Sequence, residues 1–171
     1  MKFTLLSKRT NQLKIRQIAE ICRLKNTYWN YGFNSNLVWF KNHVKAHDIH
    51  NLMYINSKLI GYTILRKKTF YIKKNKKKYL YFDTLILDNR FRNKKLSYLL
   101  MNLNKEKILK MNMISFLICL KKTTKFYKKF GWKVMNKKVF TIKDHNSNLQ
   151  GMCFNNKNLN NKIKYIFYLY K

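Results

Sequence analysis

Three stretches of the chain group residue types that can do chemistry. In Leu85-Ile86-Leu87-Asp88-Asn89-Arg90-Phe91-Arg92-Asn93-Lys94-Lys95-Leu96-Ser97, an apolar strand-type run leads through a basic loop into the start of a helix. Free N–H groups at a helix start, with the helix dipole behind them, form a site for an anion. Taken alone, the segment reads first as an ordinary strand-to-helix turn with solvated lysines. In Thr123-Thr124-Lys125-Phe126-Tyr127-Lys128-Lys129-Phe130-Gly131-Trp132, a tyrosine sits on a short helix. Gly131 is a natural C-terminal cap, and an aromatic residue opens the next strand. The third stretch holds His43, His47, Asp48 and His50. His43 and His47 are one helical turn apart, a spacing that suits a metal. No Cys or Glu completes such a site nearby, so surface histidines at a helix end are expected, and no metal.

The charge bounds the partners. Among 171 residues, 38 are Lys or Arg and 6 are Asp or Glu, for a net charge of +32. Such a field attracts phosphate and suggests nucleic acid or an anionic surface. The composition offers a plainer cause. Thirty-two of the basic residues are Lys, Pro is absent and Gly numbers 4. That is what an A/T-rich genome produces by drift. A dedicated polyanion binder concentrates its charge on one face or tail. Here only Arg66 to Lys78 is dense, with 8 basic residues in 13, so nucleic acid is not the favoured partner. The 46% hydrophobic and 16% aromatic content argues against disorder despite the charge. No apolar run approaches the roughly 18 residues of a membrane span, and the N-terminal apolar stretch is too short for a signal peptide. Cys22, Cys119 and Cys153 are odd in number and far apart, which points to a reducing cytoplasm.

The elements that position these stretches follow from periodicity. Lys2 to Leu6 reads as a strand. Ile15, Ile18, Ala19 and Cys22 recur at helical spacing, for an amphipathic helix over about residues 10–25. After the aromatic loop Tyr28 to Phe33, Asn36 is expected to cap a second helix. Strands at 50–55 and 59–65 flank the turn cluster Asn56-Ser57-Lys58. Within the second of them, Gly61 marks a bulge or a close backbone neighbour. Lys73 to Lys78 is expected to be the solvated tip of a second hairpin, with Tyr79 to Leu87 returning. A helix from Leu96 to about Met111, a strand at Ile114 to Leu120, the short helix and further short strands complete the order. The expectation is a mixed, largely antiparallel sheet flanked by helices, an α/β class. It forms a single domain over 1–171, with 154–171 a C-terminal extension of unassigned structure.

Taken in this order, the motifs resemble those of the GNAT acetyltransferase superfamily over roughly residues 2–143. The resemblance is carried by Asn56-Ser57-Lys58-Leu59-Ile60-Gly61-Tyr62, by Leu85-Ile86-Leu87 running to Arg92, and by Leu96-Ser97-Tyr98-Leu99-Leu100. Its most specific part is Phe126-Tyr127-Lys128-Lys129-Phe130-Gly131-Trp132. The resemblance implies that the backbone of Leu85, Ile86 and Leu87 pairs with the pantetheine arm of acetyl-CoA and polarises the thioester carbonyl. It implies that Arg92, Asn93, Lys94, Lys95, Leu96 and Ser97 cradle the pyrophosphate, and that Tyr127 protonates the leaving thiolate. Asp83, on the same strand and the same side as Leu85 and Leu87 by alternation, is the candidate base. His50 could relay a proton beside the acceptor cleft. Tyr28, Trp29, Tyr31, Phe33 and Trp39 fall where the family's first two helices form the acceptor side.

The pattern departs at two positions, and one of them, Ser97 in place of Gly or Ala, is small enough to be tolerated. Where the family has glycine this chain has Lys95, whose Cβ could obstruct the phosphate or demand an unfavourable φ. Its ammonium could equally add a charge to the site. The expected activity is acetyl-CoA-dependent N-acetylation of a primary amine on a small molecule, by direct transfer, in a monomer or homodimer without metal. The alternative is a catalytically degenerate scaffold that binds RNA or another polyanion.

Overall fold

The computed structural model describes residues 3–92, 94–145, 148–156 and 162–170. Among these residues nine strands and four α-helices follow one another as β1 (Phe3–Arg9), α1 (Ile15–Asn26), α2 (Phe33–His43), β2 (Ile49–Ile55), β3 (Lys58–Ile72), β4 (Asn75–Leu87), α3 (Leu96–Lys110), β5 (Ser115–Cys119), α4 (Thr124–Lys128), β6 (Lys133–Val134), β7 (Phe140–Ile142), β8 (Gln150–Phe154) and β9 (Tyr165–Phe167). Hydrogen bonding orders the strands β1-β2-β3-β4-β5-β8-β6, and β9 joins β3 to β7. The sheet is mixed and largely antiparallel, as expected. Among the described residues no helix is long and apolar enough to cross a membrane.

The chain packs as two compact units, residues 1–66 with 84–104 and residues 67–83 with 105–171. In the first unit β1, β2 and the start of β3 form an antiparallel ladder. Asn56 and Ser57, at φ +45° and +64°, make the two-residue turn that fits strand twist. The register slips between Met53 and Tyr54, so a bulge lies at Ile60 beside Gly61. A Cβ on Gly61 would stand 2.8 Å from Leu100 Cδ1, so the glycine also admits a close neighbour. On one face of the sheet, Ile21, Cys22 and Leu24 of α1 and Phe40 of α2 pack with Leu52, Tyr62, Ile64 and Ile86. On the other, Leu96 and Leu100 of α3 pack with Met53, Ile55 and Ile60, and with Leu85 and Leu87 at the margin. Each buried aliphatic side chain contributes about 1.5–3 kcal/mol.

Helix α2 starts three residues before the expected cap. Gly32, at φ +88°, occupies the N-cap position, and Asn36 lies buried in the second turn. Its amide donates back to the Gly32 carbonyl at 2.9 Å. A glycine free to take positive φ turns the chain into the helix earlier than an Asn cap would.

In the second unit β4 runs parallel to β5 through Leu80↔Ser115 and Tyr81↔Phe116. Strand β8 pairs antiparallel with β5 on one side and β6 on the other. The core here is aromatic: Phe116 stacks on Phe167 at 4.0 Å, and Tyr79 meets both edge-on. Gly151 is required by that packing, since a Cβ there would meet the Phe140 ring at 2.6 Å. The C-terminal segment belongs to this core, with Tyr165, Phe167 and Leu169 buried and β9 pairing with both β3 and β7. The lysine run is not all hairpin tip. Only Lys73 and Lys74 form the turn, and Asn75 to Lys78 are exposed strand residues. Long solvated side chains tolerate a strand as well as a loop, because the ladder uses only the backbone.

Candidate active site

The C-terminal end of β4 alternates strictly. Ile86 is buried, while Asp83, Leu85 and Leu87 on the opposite face are half-buried. Leu85 and Leu87 rest on the cluster that holds Leu96 and Leu100, so strand end and helix start share one apolar support. The ladder between β4 and β5 comprises Leu80 and Tyr81 with their partners. Among the described residues, Thr84 to Leu87 therefore keep one backbone edge outside that ladder. Such an edge can accept an extended ligand as an added strand.

The chain then leaves the sheet. The Asp88 N–H donates to the Ile60 carbonyl at 2.7 Å, which ties the exit to the bulge beside Gly61. The Asp88 carboxylate caps the short turn Asn89–Phe91, accepting from the Arg90 N–H at 3.1 Å and from its guanidinium at 2.7 and 3.0 Å. The Arg90 guanidinium holds the Asp88 carboxyl below the usual carboxylate range. Arg92, Lys94 and Lys95 are exposed, Leu96 is buried as the first residue of α3, and Ser97 is half-buried. The Arg92 guanidinium lies 5.6 Å from the Tyr28 ring centroid, and the Lys94 ammonium 5.6 Å from that of Phe91. Asn93 lies outside the described residues. No acidic residue occupies the first turn of α3, so the positive end of its dipole is not offset there.

Lys95 has φ +56°. A side-chain-bearing residue in that left-handed region costs about 1–2 kcal/mol. The backbone thus adopts the shape that favours glycine although no glycine is present. Of the two steric consequences expected of Lys95, an unfavourable φ is the one observed. An exposed loop of this shape, entering a helix whose first turn lacks acid, fits a phosphate-bearing ligand.

Tyr127 stands in the second unit, half-buried on α4. Its ring meets Phe82 edge-on at 6.2 Å and Trp132 at 6.4 Å, and its carbonyl accepts from the Phe130 N–H at 3.0 Å. Gly131, at φ +85°, turns the chain out of the helix as expected of a cap. Asp83 follows Phe82 directly on β4 and is half-buried. Leu85, Leu87 and Leu96 are therefore brought into one cluster in the first unit, and Tyr127 packs on the neighbour of Asp83 in the second.

The histidines do not share a helix. α2 ends at His43 with Val44 already extended, so His47 is not one helical turn away on the same face. No group of three or more His, Cys, Asp or Glu among the described residues could hold a metal. His50 is fully buried, its ring within 2.8 Å of both the Thr10 and Tyr62 hydroxyls. Burial pushes its pKa down to about 3, so it is a neutral core residue rather than a relay. The sequence reading also missed a cavity of about 530 Å³ beside α1. The signal for it was the helical spacing of Arg16, Glu20, Arg23 and Thr27 on one face of α1.

No protein-family profile matches the sequence, and no curated protein matches it. Solved structures do match in shape. Escherichia coli ElaA superposes with a TM-score of 0.66 at 15% identity, covering 89% of this chain and 99% of that one. An acyl-CoA N-acyltransferase from Pseudomonas aeruginosa gives 0.67 at 10% identity, covering 89% and 99%. An aminoglycoside 6'-N-acetyltransferase complexed with coenzyme A gives 0.64 at 12%, covering 87% and 96%.

Proposed function

The chain has the GNAT fold, and from that premise we propose that it is an acetyl-CoA-dependent N-acetyltransferase acting on a primary amine of a small molecule. The observation that carries this reading is the run from the unladdered edge of Thr84 to Leu87 through Lys95 at φ +56° into α3. Strand edge, left-handed loop and helix start succeed one another as binding a pantetheine arm and its pyrophosphate requires.

In this reading Leu85, Ile86 and Leu87 pair through their backbones with the pantetheine amides, and Arg92 to Ser97 hold the pyrophosphate. Acetyl-CoA, as co-substrate, supplies an activated acyl group. The amine lone pair attacks the thioester carbonyl carbon, and a backbone N–H of the Leu85 to Leu87 segment donates to the oxygen that gains charge. Such preorganised donors contribute most when charge develops. As the C–S bond breaks, the Tyr127 hydroxyl gives its proton to the sulfur, and Asp83 takes the proton the amine releases. The three cysteines are free and buried, which suits a reducing, cytoplasmic setting.

Thermal melting with acetyl-CoA tests the reading, together with release of free thiol on adding amines. Ligand at 100 times its dissociation constant adds about 2.7 kcal/mol, or about 5–10 °C for a chain of this size. Absence of any shift at millimolar acetyl-CoA overturns it and leaves a polyanion-binding scaffold.

A further inference from the structure

A cavity of about 530 Å³ in the first unit is of small-ligand size and opens between α1, the β2–β3 turn and the end of β4. Its walls carry four cations, Arg16, Arg23, Lys58 and Arg90, and two carboxylates, Glu20 and Asp88. Both carboxylates are already committed. Glu20 Oε1 accepts from Arg16 Nε at 3.0 Å and Oε2 from the Tyr54 hydroxyl at 3.1 Å. Both Asp88 oxygens are engaged by Arg90. That leaves Arg23 and Lys58 without a carboxylate within ion-pair distance among the described residues. The Arg23 guanidinium only packs 5.5 Å from the Phe33 ring centroid. Leu24 and Leu59 supply an apolar wall. A cation entering here would have to break an existing pair, whereas an oxyanion would find two positive side chains outside any close ion pair and the spare N–H groups of two arginines.

We propose that this cavity receives the oxyanion end, a carboxylate or a phosphate, of the amine acceptor, a proposal that rests on the acetyltransferase reading. Asp88, on the cavity wall, lies three residues past Leu85, about 10 Å along an extended strand. The acceptor is then a short amine whose acidic group lies within about that distance of its nitrogen, and not a polyamine. The net charge of +32 acts in the same direction, since it repels polycations and draws anions.

Acetyl transfer at saturating acetyl-CoA is compared for 4-aminobutyrate, phosphoethanolamine, butylamine and spermidine. The expected result is at least a tenfold higher kcat/KM for one or both acid-bearing amines. The double variant Arg23→Gln/Lys58→Gln, changed only at exposed positions, is expected to lose that advantage through KM. Its rate with butylamine and its acetyl-CoA affinity stay within twofold. The carboxylate and phosphate arms show which oxyanion is preferred. A preference for butylamine or spermidine, or an acid preference that survives the double variant, overturns the proposal. So does a parallel loss of acetyl-CoA affinity, which would assign the cavity to the coenzyme. Calorimetric titration with glutarate and glycerol phosphate reads the cavity without any transfer. Binding that the double variant abolishes supports the site even where no amine is acetylated, the result that would fault the enzymatic reading alone. Absence of binding by wild type overturns the site itself.

Discussion

Lys95→Gly separates two effects that the wild-type loop combines. The backbone at this position is left-handed, φ +56°, and the residue is exposed. Relieving a left-handed L-residue returns about 1–2 kcal/mol, and the extra freedom of glycine in the unfolded chain takes back about 0.5–1 kcal/mol. The variant is therefore expected to be more stable by about 1 kcal/mol, a rise of about 2–4 °C in Tm for a chain of this size. Binding moves the other way. Removing the ammonium from beside an anionic ligand removes a charge-assisted contact worth about 1.5–3 kcal/mol. Acetyl-CoA affinity then falls about 10- to 100-fold and depends less steeply on salt. The assay is thermal melting of wild type and variant without ligand, then titration with acetyl-CoA at two salt concentrations. An unchanged or lowered Tm refutes the strain argument. Tighter binding by the variant shows that the lysine obstructs the loop, and equal affinity at both salts shows that its side chain is merely solvated.

Tyr127→Phe is expected to lower turnover by about 10²–10⁴-fold with acetyl-CoA affinity nearly unchanged, because the hydroxyl acts on a charge present mainly in the transition state; an unchanged rate in a folded variant would leave Tyr127 as packing for Phe82 and Trp132. For His50, burial holds the folded pKa at about 3, against about 6.5 in the unfolded chain. The unfolded state thus takes up a proton that the native state refuses, and stability falls as pH drops through 6.5. Wild type should lose about 2 kcal/mol between pH 7 and pH 5, and His50→Gln should be flatter over that window in denaturant titrations; equal slopes would contradict the assignment. Gly61→Ala sets a Cβ 2.8 Å from Leu100 Cδ1 and 3.3 Å from Met53 Cβ, so overpacking should cost about 1–3 kcal/mol in a chemical melt, and a neutral result would mean that the α3 face repacks freely.

What could be read from the sequence was what local chemistry decides. The Asn56-Ser57 turn, the glycine cap at Gly131 and the bulge beside Gly61 each follow from residues within a few positions of one another, whereas Ile15, which opens the expected apolar stripe of α1, is 87% exposed and the buried face runs through Ile21, Cys22 and Leu24. Asn36 was misassigned because Asn caps helices so commonly, while Gly32, four residues earlier, supplied the conformation that begins this one. The strands after α4 were legible only as short apolar runs. Strands of two to five residues carry little period, and β7 finds β9 across more than twenty residues of chain. Lys25 and Arg66 show the same limit from the side of charge. Both are buried, and both lie over the Trp39 ring, at 3.5 and 5.3 Å. Nothing in a chain so rich in lysine distinguishes these two from the solvated ones.

The site was legible in its parts and not in its balance of charge. Six acids in 171 residues left carboxylates scarce for an acceptor cleft, and the structure shows how most of them are spent. Glu20 holds Arg16 and Tyr54. Asp48 caps the Lys45 N–H and lies 3.9 Å from the buried Arg66. Asp88 is closed on Arg90, and Asp144 accepts the N–H groups of Leu169 and Tyr170, both at 2.8 Å, to fasten the C-terminal segment. Four of the six carboxylates are thus held in these bonds, and Glu106 is exposed. Asp83 lies on the strand that carries the candidate coenzyme edge. With Glu20 and Asp88 already paired, the proposed acceptor cavity has little with which to neutralise a polycation, whereas exposed Arg23 and Lys58 can meet an acid. The scarcity of acids thus bears on the acceptor more directly than the surplus of lysine does, because drift alone can add surface lysines but four of the six carboxylates are held in specific bonds.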